Sequence, residues 1–199
     1  VSLSERIGKL LSSLQDGKIK EINIRHQGDK AGKAVHIMKL SVLKGILEPI
    51  LSEATNFLNA PIIAKERGIK VNEIAQEIDK DFPELIKIEL VTDKGEISAS
   101  GTVHQNGDYR IINVGEFEFD FKPVGNFICV QQSDKPGVVG IIGTVLGNHN
   151  INIAEIQLSR NSKGQNAMTF IHVDGEITDT IIKELTKDEK VKNAQLVKF

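Results

Sequence analysis

Two polar side chains bracket the stretch DKPGVVGIIGTVLGNHNIN, Asp134 at its start and Asn152 at its end. A carboxylate prefers an ammonium group, and a carboxamide offers both a donor and an acceptor. Free backbone N–H groups at the start of a helix, here near Gly137 and Val138, prefer a carboxylate. Together these three requirements describe an α-amino acid. A simpler reading makes Asp134 a helix cap and Asn152 a turn residue, and spacing alone leaves both open. Within one copy the two residues fall at opposite ends of one helix. Only a second copy packed edge to edge would bring Asp134 of one chain to Asn152 of the other. A second set of candidates is cationic: Arg110 and Lys122 on strands, with Lys65 and Arg67 on a preceding helix. Converging, they would hold a carboxylate or a phosphate; isolated, such residues are more often solvated.

Little else in the sequence points to chemistry. There is no GxSxG and no cysteine placed near a histidine, so no nucleophile and base suggest themselves. GIIGTVLG lies inside a helical pattern and lacks the Lys-Ser/Thr end of a phosphate loop. His26, His36, His104, His149 and His172 are scattered singly, which argues against a metal site. Cys129 is the single cysteine; it excludes an internal disulfide framework, fits a reducing cytoplasmic compartment and reads as a small core residue in a strand. With a net charge of −2, no field draws the chain to nucleic acid or to an anionic membrane. No apolar run is long enough to span a bilayer. The sequence opens at Val1 inside a helical pattern, which reads as a fragment of something longer.

The elements that must position these residues follow from periodicity. Leu3, Ile7, Leu10, Leu11 and Leu14 share one helical face, and Asp16-Gly17 stops it. KIKEINIRHQ reads as a strand and DKAGKA as a turn. Helical spacing resumes from Val35 to about Phe57 and predicts burial of Ile37, Leu40, Leu43, Leu47, Ile50, Leu51 and Ala54, with Pro49 kinking or dividing the helix. Asn59-Ala60-Pro61 starts another helix that Gly68 ends, and Val71-Asn72-Glu73 reads as one more helical turn. From Phe82, alternation with turns at Asp93-Lys94-Gly95, Asn106-Gly107 and Asn113 to Gly115 predicts a meander of about four strands. Pro123 to Asn126 is the natural boundary.

Beyond it the order is β-α-β-β-α-β: FICVQQ, a helix with Pro136 in its first position and Asp134 as its cap, INIAEIQLSR, QNAMTFIHVD, a helix near Thr178 to Leu185, and VKNAQLVKF. Val138, Ile141, Ile142 and Val145 make the buried face of the first of these helices. Such units give a ferredoxin-like antiparallel sheet with both helices on one face, the other face open and an edge unpaired. Pairing with a second copy is a common remedy for such an edge.

The segment DKPGVVGIIGTVLGNHNINIAEIQLSR resembles an ACT domain, and FLNAPIIAKERGI resembles the signature of the intervening domain of the D-3-phosphoglycerate dehydrogenase family. LSERIGKLLSSLQDGKIKEINI is similar to the end of that family's catalytic half. The resemblance implies an α+β protein: an allosteric substrate-binding intervening domain over residues 1–124, with 1–17 a helix leading from the catalytic half, then an ACT domain over 125–199. It implies that L-serine binds between ACT domains of two subunits and slows turnover, with Asp134, Asn152, Gln132, Gly137 and Val138 at the effector site. Arg110 and Lys122 match positions that bind an anion. Gln132 stands where some relatives have His or Tyr, and Glu118 replaces a nearby family His.

The nucleotide-binding GxGxxG and the catalytic Arg, Glu and His of the dehydrogenase are missing from this sequence. The expectation is therefore a non-catalytic, cytoplasmic regulatory part that holds no cofactor itself, NAD belonging to the catalytic part. Its partners would be L-serine and further copies of itself, not nucleic acid or membrane. Two other readings are the regulatory chain of an iron–sulfur L-serine dehydratase, and an assembly module with no ligand.

Overall fold

In the computed structural model the apolar stripe at the start of the chain becomes helix α1, Ser2–Leu14. The residues described are 2–28, 34–51, 55–75, 79–104, 106–161 and 164–199. They form two compact units, Val1–Gly115 with Asp120–Pro123, and Glu116–Phe119 with Val124–Phe199.

In the first unit, Leu3, Ile7, Leu10, Leu11 and Leu14 are all buried, as their spacing predicts. Helix α1 packs on α2, Val35–Leu47, through small residues. A Cβ added at Gly8 would stand 2.8 Å from the Val42 carbonyl oxygen, and one added at Gly45 only 2.1 Å from that of Glu5. At this approach the Ser12 hydroxyl donates to the Ile46 carbonyl at 2.8 Å. At the rim, Lys44 reaches the Glu5 carboxylate at 2.6 Å and Lys9 reaches Glu48 at 3.2 Å.

The buried face of α2 is not the one its periodicity suggests. Met38, Ser41, Val42, Gly45 and Ile46 turn inward with Leu43 and Leu47, while Ile37 and Ile50 are exposed. The segment is apolar nearly all round, so its own pattern is weak, and the backbone contact at Gly45 decides which side faces in. The helix stops at Leu47, before Pro49, and does not resume among the described residues up to Phe57, so it is shorter than the periodicity suggests; residues 29–33 of the DKAGKA turn and 52–54, Ala54 among them, lie outside the described residues.

A six-stranded sheet lies beside these helices in the order β2-β1-β3-β4-β5-β6. Its strands are β1, Ile19–Gln27; β2, Lys70–Ala75; β3, Leu85–Thr92; β4, Glu96–Val103; β5, Tyr109–Val114; and β6, Phe117–Phe121. The run β3 to β6 is the four-strand meander predicted from its turn residues. Helix α3, Ala60–Glu66, starts after Asn59 with Pro61 in its first turn, and Gly68 follows it at φ 69.

Strand β2 replaces the helical turn expected at Val71-Asn72-Glu73 and runs parallel to β1. Val71 and Ile74 are β-branched and suit a pleated surface. The Asn72 carboxamide donates to Glu21 Oε1 at 2.6 Å and to Asn23 Oδ1 at 2.7 Å, so the side chain also finds its partners on β1.

The second unit follows the expected β-α-β-β-α-β order: β7, Asn126–Ser133; α4, Val138–Asn148; β8, Asn152–Arg160; β9, Asn166–Asp174; α5, Asp179–Leu185; and β10, Val191–Lys198. The sheet order is β10-β7-β9-β8 with antiparallel neighbours throughout, the ferredoxin-like plan. Ile128, Val130, Ile171, Val173 and Ala194 from the sheet meet Val138, Ile142, Val145, Leu146, Ile181 and Leu185 from the helices in one core.

Ile141 is only half-buried, and Leu146 takes its place inside. The opposite face of the sheet is not open as expected. Phe127, Cys129, Met168 and Phe170 are buried there, Phe170 meets Phe119 edge-on at 5.0 Å, and Phe127 stacks on His172 at 4.7 Å. The chain is thus α+β, and no helix among the described residues is long and apolar enough to cross a membrane.

Candidate functional site

The turn between β7 and α4 is built differently from the expected cap. Pro136 lies before the helix, which opens at Val138 behind Gly137. Gly137 has φ 95, a left-handed backbone that only glycine adopts without strain, and no side chain caps the helix. The first backbone bond along the helix is Ile141 N–H to the Gly137 carbonyl, so the N–H groups of Val138 to Gly140 point out of the helix end. Lys190 reaches the same corner and donates to the Pro136 carbonyl at 3.3 Å.

Asp134 faces the β8–β9 turn. Its backbone N–H donates to the Gln165 carbonyl at 2.8 Å. One carboxylate oxygen, Oδ2, accepts from the Gly164 N–H at 3.0 Å and from Arg160 Nη1 at 3.4 Å. The other, Oδ1, accepts no hydrogen bond from a described residue. The reason lies in strand register: Ser133 pairs with Asn166 and Arg160 with Ala167, so the ends of β7 and β8 and the start of β9 come together at one corner.

Asn152 lies at the other end of the same sheet, where its carboxamide donates to Asp174 Oδ2 at 2.7 Å. One copy therefore does not bring Asp134 and Asn152 together, as the sequence reading holds. Gln132 is buried beneath the corner, its amide oxygen accepting from the Thr169 hydroxyl at 3.3 Å. Sequence reasoning missed Arg160, Gly164 and Lys190. No local spacing links them to Asp134; the β8–β9 register brings Arg160 and Gly164 there, and the pairing of β10 with β7 brings Lys190.

The cationic candidates separate into two places. Arg110 on β5 stands 3.7 Å from Asp120, and Lys122 just beyond β6 stands 3.3 Å from Asp108. The hydrogen bond from Lys122, then its charge, holds the Asp108 carboxyl below its ordinary pKa. Exposed pairs of this kind contribute little, so an incoming anion competes with them easily. Arg67 instead lines a cavity of about 510 Å³ with Lys18, Ile19, Leu47, Ile50 and Ile69, and Arg110 and Lys122 are not part of its lining. Lys65 is exposed on α3.

Among the described residues no group of three or more His, Cys, Asp or Glu is placed to hold a metal. Cys129 is buried, and its burial pushes the thiol pKa up, which suits an inert core residue.

One pH effect follows from the helix layer. His149 ends α4, and its Nε2 lies 2.8 Å from Glu184 Oε2 on α5. The hydrogen bond from His149, more than its charge, holds the Glu184 carboxyl below its ordinary 4.5. A lowered carboxyl stabilises the fold above its unfolded pKa and loses that contribution as pH falls through the folded value. His149→Ala is expected to make the acid-side loss of stability shallower in thermal melts from about pH 6 to 3. An unchanged slope would refute the coupling.

The geometry defines a class: a β-α-β-β-α-β module with an uncapped helix start and a half-used carboxylate beside it, preceded by a mixed α/β domain. Residues 1–115 match the family model described as D-3-phosphoglycerate dehydrogenase intervening domain, and residues 128–190 match the ACT domain model. The chain is 33% identical to a D-3-phosphoglycerate dehydrogenase of Synechocystis sp., over 100% of this chain and 36% of that relative. It is 32% identical to one of Archaeoglobus fulgidus, over 100% and 38%, and 29% identical to one of Bacillus subtilis, over 98% and 37%. Among solved structures, the ACT domain from a Chlorobium tepidum GTP pyrophosphokinase aligns with 37% of this chain and 97% of its own at 23% identity, with a TM-score of 0.31.

The chain belongs to the D-3-phosphoglycerate dehydrogenase family. It corresponds to the C-terminal part of such enzymes, the intervening and ACT domains, and spans little more than a third of the length of the relatives above.

Proposed function

We propose that this chain is the regulatory part of a D-3-phosphoglycerate dehydrogenase and binds L-serine between the ACT domains of two copies. The division between its domains falls after residue 124, and the NAD-dependent oxidation belongs to the catalytic part of a cytoplasmic parent enzyme. The observation that carries the reading is the corner at Asp134: a carboxylate oxygen with no described hydrogen-bond donor beside helix N–H groups with no intrahelical acceptor. The first suits an ammonium group and the second a carboxylate. Among the described residues strand β8 pairs with β9 alone, with Ile156 and Leu158 exposed, and a second copy pairing at this edge would bring its Asn152 across.

Regulation then needs only that serine binds one arrangement of paired ACT domains better than another, since a ligand shifts an equilibrium by its difference in affinity. Arg110 and Lys122 offer a second, weaker site for an anionic substrate or phosphate.

Calorimetry of this chain with L-serine tests the reading. Asp134→Ala and Asn152→Ala are each expected to weaken binding by on the order of tenfold or more, the cost of one charge-assisted contact. Equal affinity for all three proteins would remove these residues from the site.

A further inference from the structure

The proposed reading assigns the ligand's carboxylate to backbone N–H groups, and a side chain at the same corner is better equipped for it. Arg160 ends the edge strand β8 and lies beside Asp134, with its side chain 57% exposed. It gives Asp134 a single contact from Nη1 at 3.4 Å, well beyond the roughly 2.7–2.9 Å of a strong charge-assisted bond. No other described residue pairs with its guanidinium. An arginine carries five donors in a fixed planar fork that matches a carboxylate through two parallel bonds. Here most of that fork is unspent.

The arrangement around Asp134 is equally one-sided. Both of its accepted hydrogen bonds, from Gly164 and from Arg160, fall on Oδ2, which leaves Oδ1 for a donor from outside. A cation with spare donors and an anion with a spare oxygen thus stand next to each other on one copy, held by the β8–β9 hairpin and the β7 turn.

We propose that Arg160 is the carboxylate-binding residue of the amino-acid site, so that Asp134 and Arg160 together recognise the adjacent α-ammonium and α-carboxylate of one ligand. This rests on the reading of that corner as an amino-acid site. The existing contact between the two residues orients the fork and costs little to loosen, because a long and partly exposed ion pair contributes little. The pair accordingly selects zwitterions: an amine without a carboxylate gains Asp134 alone and gives up the Arg160 fork.

The test compares L-serine with 2-aminoethanol, which has the same amine and hydroxyl and no carboxylate, by calorimetry on the full chain and on Arg160→Ala, Arg160→Lys and Asp134→Ala. Arg160 is a surface side chain, and circular dichroism melts check that each variant folds. Arg160→Ala is expected to bind L-serine on the order of tenfold more weakly, with Arg160→Lys in between and 2-aminoethanol unaffected by either. L-Serine binding equal to that of the parent in Arg160→Ala overturns the proposal, as does an equal loss for serine and 2-aminoethanol. Failure of the underlying reading has a different signature: Asp134→Ala then binds L-serine as well as the parent does.

Discussion

Gly45→Ala is expected to destabilise the first unit by about 1–3 kcal/mol, and Gly45→Val by more, the range for forcing extra carbon into a packed site. On a helix surface the same glycine-to-alanine change would help by about 1 kcal/mol, because alanine is the better helix former. Position decides the sign here. The new Cβ would lie 2.1 Å from the Glu5 carbonyl oxygen, a backbone atom that cannot rotate away.

Relief would require α1 and α2 to separate, which undoes the Ser12 to Ile46 hydrogen bond and the 2.6 Å pair between Lys44 and Glu5. It would also lift Ile7, Leu10 and Leu11 from a core in which each is fully buried. Denaturant titration followed by circular dichroism reads the effect; a midpoint equal to or above that of the parent would show that the helices have room the geometry denies them.

Phe170→Ala is expected to cost the second unit about 3–5 kcal/mol, the usual range for emptying a buried aromatic site. Phe170 is 1% exposed and meets the edge of Phe119 at 5.0 Å with the rings nearly perpendicular. Such pairs add about 0.5–1.5 kcal/mol beyond the area they bury. With two units in one chain, unfolding need not be a single transition. Calorimetric melting should show the transition of the second unit moving down further than that of the first. A loss below about 1 kcal/mol would mean that the sheet face closes over the gap.

The two units differ in how much of them could be read in advance. The second has strands of eight or nine residues separated by well-marked turns, and its β-α-β-β-α-β order follows from alternation and from residues such as Pro136 before its first helix. Helix α1 was equally plain, because its leucines and isoleucine keep one face and its other residues are polar.

Helix α2 was not, since Ile37 and Ile50 are as apolar as Val42 and Ile46, and the choice between them was made by the close approach of Gly45 to Glu5 of α1 and of Gly8 of α1 to Val42. Strand β2 was hidden for another reason: it is a half-exposed edge of six residues, and only its pairing with β1 distinguishes it from a helical turn. At the site, Asp134 and Asn152 could be named as candidates from residue type. That Asp134 would hold Gly164 and Arg160 instead of capping a helix depends on the register of two hairpin strands, which residue spacing does not encode.

The position of β7 in its sheet carries a consequence for how the protein is made. It is the first strand of its unit in sequence, yet it is central in space, flanked by β9 and by β10, the last strand of that sheet. Its outer neighbour β10 is made after β8 and β9, so the sheet cannot close until that strand has been added. The early strands must wait with apolar surface uncovered, a state prone to association. In the first unit α1 and α2 follow each other closely and can pack long before that point. The natural order of maturation is therefore the first unit before the second.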